Sequence, residues 1–393
     1  MLANFTISSP TTLVFGKDAE LQVGKLVKQY ADKCLIHHDG GAYLDALLGR
    51  VRKSLTDAGV EIFELGGVEP NPKLSLMRKG MQMCKEQNIG FVLAIGGGSV
   101  MDSAKFIAIG AGYEGDVWNY DGSYVQGALP HGCICTLPGT GSEVSGCSMV
   151  VNDEGDHLVK GGFFGEQLKF DFSILNPELT YTLPAKQTAA GAVDVISHFM
   201  EAYFTDTEDA EMLWGVAETG VNMIMKNVKI VLDNPRDYNA RANMMMAAYY
   251  ASNDPVYIGT NSDWAVHHLE NPLTTTFHST HGLMLGIITP AWMKFCYKNN
   301  VPLFTRFCVN CLGAKMDDAH PEITIMEGFA NFENFVKSIG LPTRLSEIGI
   351  EEKDFERVLD IAFEVRGGRE KGRLGFVSKL TFDQAIQIYQ LAK

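Results

Sequence analysis

The chain has 393 residues, more than one hydrophobic core usually organises, so two domains are expected. Hydrophobic residues make up 46% and charged residues 20%, which is typical of a folded protein and excludes a largely disordered chain. The formal net charge of −14 repels phosphate backbones, so we expect no nucleic-acid partner. Apolar runs stay shorter than the roughly 18–20 residues of a membrane span, so we expect no membrane partner either.

The first residues lack a basic segment leading into an apolar core, so no signal peptide is predicted. Eight cysteines without framework spacing favour reduced thiols. Cys308 and Cys311 have the spacing of half a zinc site, but the sequence holds no second such pair, and buried thiols are the preferred interpretation. These features predict a cytoplasmic protein.

Short apolar runs alternate with helical patterns in the first half of the chain. Residues 34–36, 61–65 and 91–95 are predicted strands, and residues 43–58 and 74–86 are predicted helices. Every position of 91–95 is apolar, as in a parallel strand covered on both faces. This order predicts a doubly wound, Rossmann-like α/β domain.

The pattern changes after Pro184. Three stretches rich in Ala and Met lack strand alternation and are predicted helices: residues 188–203, 211–232 and 241–252. The remainder is also mainly helical. We therefore predict an α/β domain at residues 1–183 and an all-α domain at residues 184–393, with the active site in the cleft between them.

A glycine turn, Gly96-Gly97-Gly98-Ser99, directly follows the predicted strand at 91–95 and precedes a predicted helix at 100–109. Glycines let the backbone approach a ligand closely, and the N-terminus of the next helix offers N–H groups to a pyrophosphate. The turn lacks the G-x-G-x-x-G spacing of an ordinary Rossmann fingerprint. A plain strand-to-helix turn is the alternative.

A second loop, from Thr136 to Glu143, follows another short strand and is dense in hydroxyl groups and glycine. Thr136 and Thr140 offer hydroxyl groups to a phosphate or to a nicotinamide amide, whereas the alternative is a polar surface loop. Two such loops at consecutive strand ends favour dinucleotide binding by residues 1–183.

Asp194 and His198 lie four positions apart in a predicted helix, so they share one face. For this pair alone, an Asp–His hydrogen bond at the helix surface is the preferred interpretation. His267 and His281 add two imidazoles to the set. Fe²⁺, Zn²⁺ or another transition metal accepts such a set, and the ligand types do not separate iron from zinc. Beside a nicotinamide, the ion would act as a Lewis acid on an alcohol or aldehyde oxygen.

Together these motifs resemble the iron-containing, or group III, alcohol dehydrogenases, in particular their butanol dehydrogenase-like branch. The resemblance covers essentially the whole chain, and it is carried by Glu69-Pro70-Asn71-Pro72, Gly96-Gly97-Gly98-Ser99 with Asp102 and Lys105, Thr140-Gly141-Ser142-Glu143, Asn176-Pro177-Glu178-Leu179, Gly191-Ala192-Val193-Asp194 with His198, and the His267/His281 spacing. It implies a dehydroquinate synthase-like fold and a homodimer.

The resemblance also implies the site residues. The metal ligands at the catalytic centre would be Asp194, His198, His267 and His281. The residues that grip the pyrophosphate and ribose would be Gly97, Gly98, Ser99 and Asp102. The residues around the rest of the dinucleotide would be Thr136, Leu137, Thr140, Lys160 and Leu179.

The chain departs from the family pattern at Asn271, where relatives usually carry a histidine often assigned to proton handling. Asparagine cannot titrate. His268, His278 or water are the alternatives for moving the proton, although packing or surface placement is the preferred interpretation of both histidines.

A second departure concerns cofactor choice. NADP-preferring relatives carry a Gly/Ser/Lys-rich turn after the first strand, whereas this chain has His37, His38 and Asp39 there, followed by two glycines. A carboxylate at Asp39 would accept a ribose hydroxyl and repel a 2′-phosphate. We expect NAD(H) to be preferred over NADP(H), with the two histidines partly offsetting the charge.

The sequence therefore predicts a metal-dependent alcohol dehydrogenase or aldehyde reductase that moves hydride between NAD(P)(H) and a small primary alcohol or aldehyde. One alternative is a metal- and NAD-dependent lyase or cyclase of the dehydroquinate synthase type, but residues 264–281 hold no Lys or Arg for its acidic substrate. The other is a non-catalytic dinucleotide-binding relative, which only Asn271 supports.

Overall fold

The computed structural model describes residues 2–120, 128–154, 158–253 and 256–393. The chain divides into two compact units. One unit is Ser8–Leu183 and is built on a parallel sheet, and the other is Met1–Ile7 with Pro184–Lys393 and is helical. The predicted fold class, a Rossmann-like α/β part followed by an all-helical part, is confirmed. Residues 2–7 group with the helical unit.

The strands of the α/β unit are β1 (Thr12–Phe15), β2 (Lys33–His38), β3 (Glu61–Leu65), β4 (Phe91–Gly96), β5 (His131–Cys135), β6 (Cys147–Asn152), β7 (Val159–Phe164) and β8 (Phe172–Leu175). Six of them form one sheet in the order β1-β8-β5-β4-β2-β3, with every pair parallel. The other two, β6 and β7, form an antiparallel hairpin that the sequence patterns did not predict. All six residues of β4 are buried, which explains its continuous apolar sequence.

The helices of this unit are α1 (Val23–Lys28), α2 (Asp45–Asp57), α3 (Leu74–Gln87) and α4 (Gly98–Gly112). In α2 the buried residues are Leu47, Leu48, Val51 and Leu55, which is the spacing of a single apolar face. By contrast, α4 is buried over most of its length and is rich in apolar residues. It therefore lies in the interior of the unit.

The order of the strands reverses between β2 and β4. From β2 the chain continues outward to β3, whereas β4, β5 and β8 extend the sheet in the other direction. His38, the last residue of β2, pairs with Ile95 of β4. Because ligands of open α/β sheets bind at the carboxyl ends of strands beside such a reversal, the turns after β2 and β4 mark the expected binding edge.

The helices of the second unit are α5 (Ala185–Tyr203), α6 (Glu211–Asp233), α7 (Tyr238–Ala251), α8 (Ala265–Phe277), α9 (His281–Cys296), α10 (Val301–Asn310), α11 (Pro321–Ser338), α12 (Phe355–Glu364), α13 (Gly368–Lys371) and α14 (Phe382–Leu391). Short 3-10 helices occur across both units at Ala19–Gln22, Ala42–Leu44, Val117–Asn119, Glu166–Leu168, Pro177–Thr180, Tyr297–Asn299, Leu345–Ile348 and Glu352–Asp354. Within the described ranges, no helix combines the length and apolar character that crossing a bilayer requires.

Helix α5 is the central helix of this unit, because every residue from Thr188 to Tyr203 is buried. Most of them are apolar and join the main hydrophobic core. Asp194, His198 and Glu201 are polar exceptions on this helix. Buried polar groups destabilise a fold unless they are paired or bind an ion, so these three residues point to a site.

Candidate active site

Three polar side chains lie along one face of α5, since Asp194, His198 and Glu201 are spaced four and three residues apart. All three are buried. Nε2 of His198 lies 3.5 Å from Oδ1 of Asp194. The helix thus presents a carboxylate and an imidazole together, as the sequence spacing predicts.

Two further imidazoles reach the same carboxylate from α8 and α9. Nε2 of His281 lies 3.6 Å from Oδ1 of Asp194, and one ligand atom each of Asp194, His267 and His281 lie within 4.8 Å of one another. The ring of His267 is 4.9 Å from that of His198 and 5.3 Å from that of His281, between centroids. The structure therefore brings all four predicted ligand residues together, with the tightest grouping in Asp194, His267 and His281.

Two buried glutamates contact the other nitrogen of two of these imidazoles. Nδ1 of His267 donates to Oε1 of Glu201 at 2.9 Å, and Nδ1 of His281 lies 2.6 Å from Oε2 of Glu270. A proton held on Nδ1 leaves the lone pair of Nε2 available to a metal, and such carboxylate–histidine pairs are common around metal sites. These contacts orient the two rings, and an ionised carboxylate at either position favours the tautomer with the proton on Nδ1.

The electrostatics of the cluster suit a cation. The pKa of His198 is lowered to about 3, mainly by burial and also by the neighbouring His267 and His281, against the opposing effect of Asp194. The imidazole is therefore neutral near pH 7, as a metal ligand must be. In the described part of the chain, Oδ1 of Asp194 is buried without a hydrogen-bond donor. One carboxylate and three imidazoles in this setting fit Fe²⁺ or Zn²⁺.

An aromatic wall stands beside the cluster. The ring of Trp264 lies 5.7 Å from that of His198 and 5.1 Å from that of His267, and it stacks on Tyr257 at 5.6 Å. The hydroxyl of Tyr257 donates to the backbone oxygen of His198 at 3.2 Å. Trp264 has φ +60° and precedes the first residue of α8, so its backbone makes the sharp entry into that helix.

Asp263 ties the start of α8 to a distant segment. Its Oδ1 accepts hydrogen bonds from the backbone N–H of Val377 at 2.9 Å, from that of Ser378 at 2.8 Å and from the Ser378 hydroxyl at 3.1 Å. Farther along α8, the hydroxyl of Tyr389 donates to the backbone oxygen of Leu269 at 2.5 Å. The helix that carries His267 is therefore held by residues more than a hundred positions downstream.

The residues considered for proton transfer occupy different environments. Nδ1 of His268 accepts from the backbone N–H of Gly375 at 3.0 Å, and burial lowers the pKa of His268 to about 3, helped by the charge of Arg366. His278 is exposed and follows the last residue of α8. Asn271 is partly buried within α8. The structure thus engages His268 in holding the segment around Gly375.

The predicted dinucleotide residues follow the carboxyl ends of four adjacent strands, β2, β4, β5 and β8. In that order the residues are Asp39, then Gly97, Gly98 and Ser99, then Thr136, Leu137 and Thr140, and finally Leu179 in the 3-10 helix after β8. The loops after β4 and β5 touch, because the N–H of Thr136 donates to the oxygen of Gly96 at 3.0 Å. A single edge of the sheet therefore carries all of these positions.

The close approach of Thr140, in the loop after β5, requires glycine at position 98. A β-carbon at position 98 would stand 2.4 Å from Oγ1 of Thr140, and one at Gly97 would stand 3.2 Å from Cβ of Leu137. Glycine lets the loop after β5 approach the N-terminal turn of α4, where backbone N–H groups would be available to an anion.

Two other predicted residues, Asp102 and Lys160, do not belong to the turns at the strand ends. The carboxylate of Asp102 is buried in α4, and it accepts from the Ser142 hydroxyl at 2.6 Å and from the N–H of Met149 at 3.0 Å. Burial raises its pKa, whereas Lys105 and Lys160 lower it. Asp102 thus ties α4 to the loop after β5, and Lys160 lies on the hairpin strand β7.

Sequence reasoning missed Glu201 and Glu270. Glu201 is seven residues after Asp194, and Glu270 is three residues after His267, so each shares a helix face with a candidate ligand. This spacing is the signal that would have identified them. Cys308 and Cys311 are both buried free thiols, in agreement with the preferred interpretation of that pair.

Comparisons of the sequence and of the structure with known proteins agree on one family. Residues 10–177 match the family model described as iron-containing alcohol dehydrogenase, and residues 188–390 match its C-terminal counterpart. The chain is 34% identical to the NADH-dependent butanol dehydrogenase B of Clostridium acetobutylicum, over 99% of both chains. It is 30% identical to the NADPH-dependent aldehyde reductase YqhD of Escherichia coli, over 99% of this chain and 100% of the relative. The crystal structure of the NADH-dependent butanol dehydrogenase A of Thermotoga maritima superposes with a TM-score of 0.92 at 33% identity, over 100% and 99% of the two chains.

Proposed function

Because the chain belongs to the iron-containing alcohol dehydrogenase family, we propose that Asp194, His198, His267 and His281 hold one divalent ion for hydride transfer. The protein is an NAD(P)-dependent alcohol dehydrogenase and aldehyde reductase. The observation that supports the ion site is the convergence of ligand atoms of Asp194, His267 and His281 within 4.8 Å. We propose Fe²⁺ or Zn²⁺ as the ion, since the donor set suits both.

The four proposed ligands and the two buried glutamates have different roles in this proposal. Asp194 contributes negative charge, and the neutral imidazoles contribute nitrogen lone pairs. Glu201 and Glu270 hold two of the rings in orientation through Nδ1. The ion, when bound, supplies Lewis acidity to the substrate oxygen, and the nicotinamide supplies or accepts the hydride.

The proton of the alcohol leaves through water in this proposal. Asn271 cannot accept it, and Nδ1 of His268 already accepts from the N–H of Gly375. The side chain of His281 is a quarter exposed, so solvent approaches the cluster from that side. A water relay therefore takes the role that a histidine at position 271 has in the resembling family.

We propose a more specific cofactor and a more specific substrate class than membership of the family implies. NAD(H) is preferred over NADP(H), because Asp39 stands at the strand reversal where an adenosine ribose would bind. The phosphates are bound by Gly97, Gly98 and Ser99, and the loop with Thr136, Leu137 and Thr140, together with Lys160 and Leu179, encloses the rest. The substrate is a small primary alcohol or aldehyde, as in the butanol dehydrogenases, with Trp264 bounding the space beside the ion.

Location and assembly stay predictions. All eight cysteines are free thiols, which supports a cytoplasmic protein, because reduced thiols are usual there. The homodimer is implied by the family resemblance. A lyase or cyclase of the dehydroquinate synthase type is not favoured, since the matching relatives are alcohol dehydrogenases and an aldehyde reductase.

Reconstitution tests the proposal. Metal-free protein is loaded with Fe²⁺ or Zn²⁺ and mixed with NADH and butyraldehyde, while absorbance at 340 nm is followed. We expect NADH oxidation that depends on added metal and stops with a chelator. NADH binding without turnover on butyraldehyde or on a panel of other small aldehydes would contradict the proposed reaction.

A further inference from the structure

The turn after β2 holds the carboxylate of Asp39 from two directions. Its Oδ1 accepts from the backbone N–H of Gly41 at 2.8 Å, and its Oδ2 accepts from the hydroxyl of Tyr43. The aromatic ring of Tyr43 folds back over the turn, since a β-carbon at Gly41 would stand 2.4 Å from its Cε1. Both donors belong to the turn, so the orientation of this carboxylate is set locally.

This arrangement leaves acceptor capacity for a ligand. An ionised carboxylate has about four lone-pair positions, and the two donors of the turn occupy two of them. The remaining positions match two neighbouring hydroxyl groups, such as the 2′ and 3′ hydroxyls of a ribose. Asp39 is partly buried and Tyr43 is exposed, at 59% of its surface, so a ligand reaches both.

The charges around the turn disfavour a phosphate. Nδ1 of His38 accepts from the N–H of Gly40 at 3.0 Å, and its Nε2 lies 3.8 Å from Oε2 of Glu64. The guanidinium of Arg52 is engaged by both carboxylate oxygens of Glu64, at 2.6 and 2.7 Å. Arg52 would otherwise attract a phosphate, but its charge is already paired with Glu64. The carboxylate of Glu64, close to His38, adds negative charge near the turn.

We propose that Tyr43 is a positioning residue for cofactor choice, whose hydroxyl fixes Asp39 to accept the adenosine ribose hydroxyls of NAD(H) rather than a 2′-phosphate. This inference rests on the proposed preference for NAD(H). It adds a residue that acts through Asp39, and it explains how a partly buried carboxylate in a glycine-containing turn keeps one orientation. Without the hydroxyl, the carboxylate rotates more freely and its selectivity falls.

The test is equilibrium binding of NADH and NADPH to metal-free protein by titration calorimetry, which does not depend on turnover. Tyr43→Phe removes the hydroxyl and keeps the ring. We expect its Kd for NADH to rise about threefold to tenfold, the usual range for one lost hydrogen bond, while its Kd for NADPH stays or falls. Tyr30→Phe is the matched control, because Tyr30 is also exposed but precedes β2 at the opposite end of that strand. It should leave both constants unchanged.

Asp39→Asn separates failure of this inference from failure of the underlying preference. The quantity to compare is the Kd for NADPH divided by the Kd for NADH. If Asp39→Asn lowers this ratio but Tyr43→Phe leaves it within twofold of wild type, the role of Tyr43 is overturned. The same holds if Tyr43→Phe weakens both cofactors equally, since that indicates a general effect on the turn. If Asp39→Asn also leaves the ratio unchanged, the preference assigned to Asp39 is itself wrong, whatever the reaction turns out to be.

Discussion

Gly282 and Ala190 meet at backbone contact distance, because a β-carbon at Gly282 would stand 1.9 Å from the carbonyl oxygen of Ala190. Gly282 directly follows His281 at the start of α9, and Ala190 lies one turn before Asp194 on α5. The close crossing of these helices brings His281 to within 3.6 Å of Asp194. Gly282, which is not one of the predicted ligands, therefore sets the geometry of the proposed metal site.

Gly282→Ala should push α9 away from α5 and separate His281 from Asp194. We expect the variant to lose bound metal, measured by elemental analysis after dialysis, and to unfold about 1–3 kcal/mol more easily, as overpacked interiors do. Gly286→Ala is the control one turn farther along α9, where the added carbon would meet side-chain atoms only, of Val336 at 3.3 Å and of Val193 on α5 at 3.6 Å. Equal metal content in the two variants would show that the crossing does not govern the cluster.

Glu270→Gln keeps the shape beside Nδ1 of His281 and removes the charge. Loss of a carboxylate behind a histidine ligand typically lowers metal affinity about 10–100-fold, and we expect a fall in that range. Competition with a chromophoric chelator measures it. Glu322→Gln, exposed in the first turn of α11, serves as the control. An affinity equal to wild type would mean that Glu270 has only a packing role.

His267→Ala should strip the metal and reduce turnover to background while NADH still binds, since the glycine turn and the proposed metal ligands lie in different units. Metal content and NADH titration on the same sample check both halves of this expectation. The opposite pattern, metal retained and NADH binding lost, would show that the two sites are assigned the wrong way round.

Gly98→Ala should disturb the proposed phosphate-binding edge, because the added carbon would stand 2.4 Å from Oγ1 of Thr140. We expect weaker NADH binding and a loss of about 1–3 kcal/mol in unfolding free energy. Gly49→Ala is the matched control, since nothing lies within 4 Å of its added carbon in α2. Ala is favoured over Gly inside a helix by roughly 0.5–1 kcal/mol, so this control should be slightly more stable than wild type. Unaltered NADH affinity in Gly98→Ala would argue against the assigned phosphate site.

Sequence patterns predicted the strongly periodic elements well. The strand at residues 61–65 coincides with β3, and the apolar run at 91–95 differs from β4 by one residue. The hairpin of β6 and β7 was missed, because β7 is largely exposed and contains two glycines, so it lacks an apolar signal. Edge strand β1 was missed for a different reason: its sequence is mostly apolar, but four residues are too few to show a period.

The candidate site was predictable where it depends on local spacing. Asp194 and His198 share a helix face, and the glycine turn follows an apolar strand, so both were visible in the sequence. The contacts of Glu201 and Glu270 depend on how α5, α8 and α9 pack, which periodicity does not encode. The burial of Asp102 under the β5 loop is likewise set by tertiary packing. Ligation and cofactor contacts themselves stay predictions.

The side-chain hydrogen bonds of Asp263 form late in synthesis, because their donors are Val377 and Ser378. Ser378, one of its donors, lies 115 residues downstream. At about 5–20 residues per second, a ribosome adds that stretch on the order of ten seconds after Asp263. Until Ser378 is made, Asp263 at the start of α8 lacks these donors, so we expect the nascent protein to bind the proposed ion late, after most of the chain has emerged.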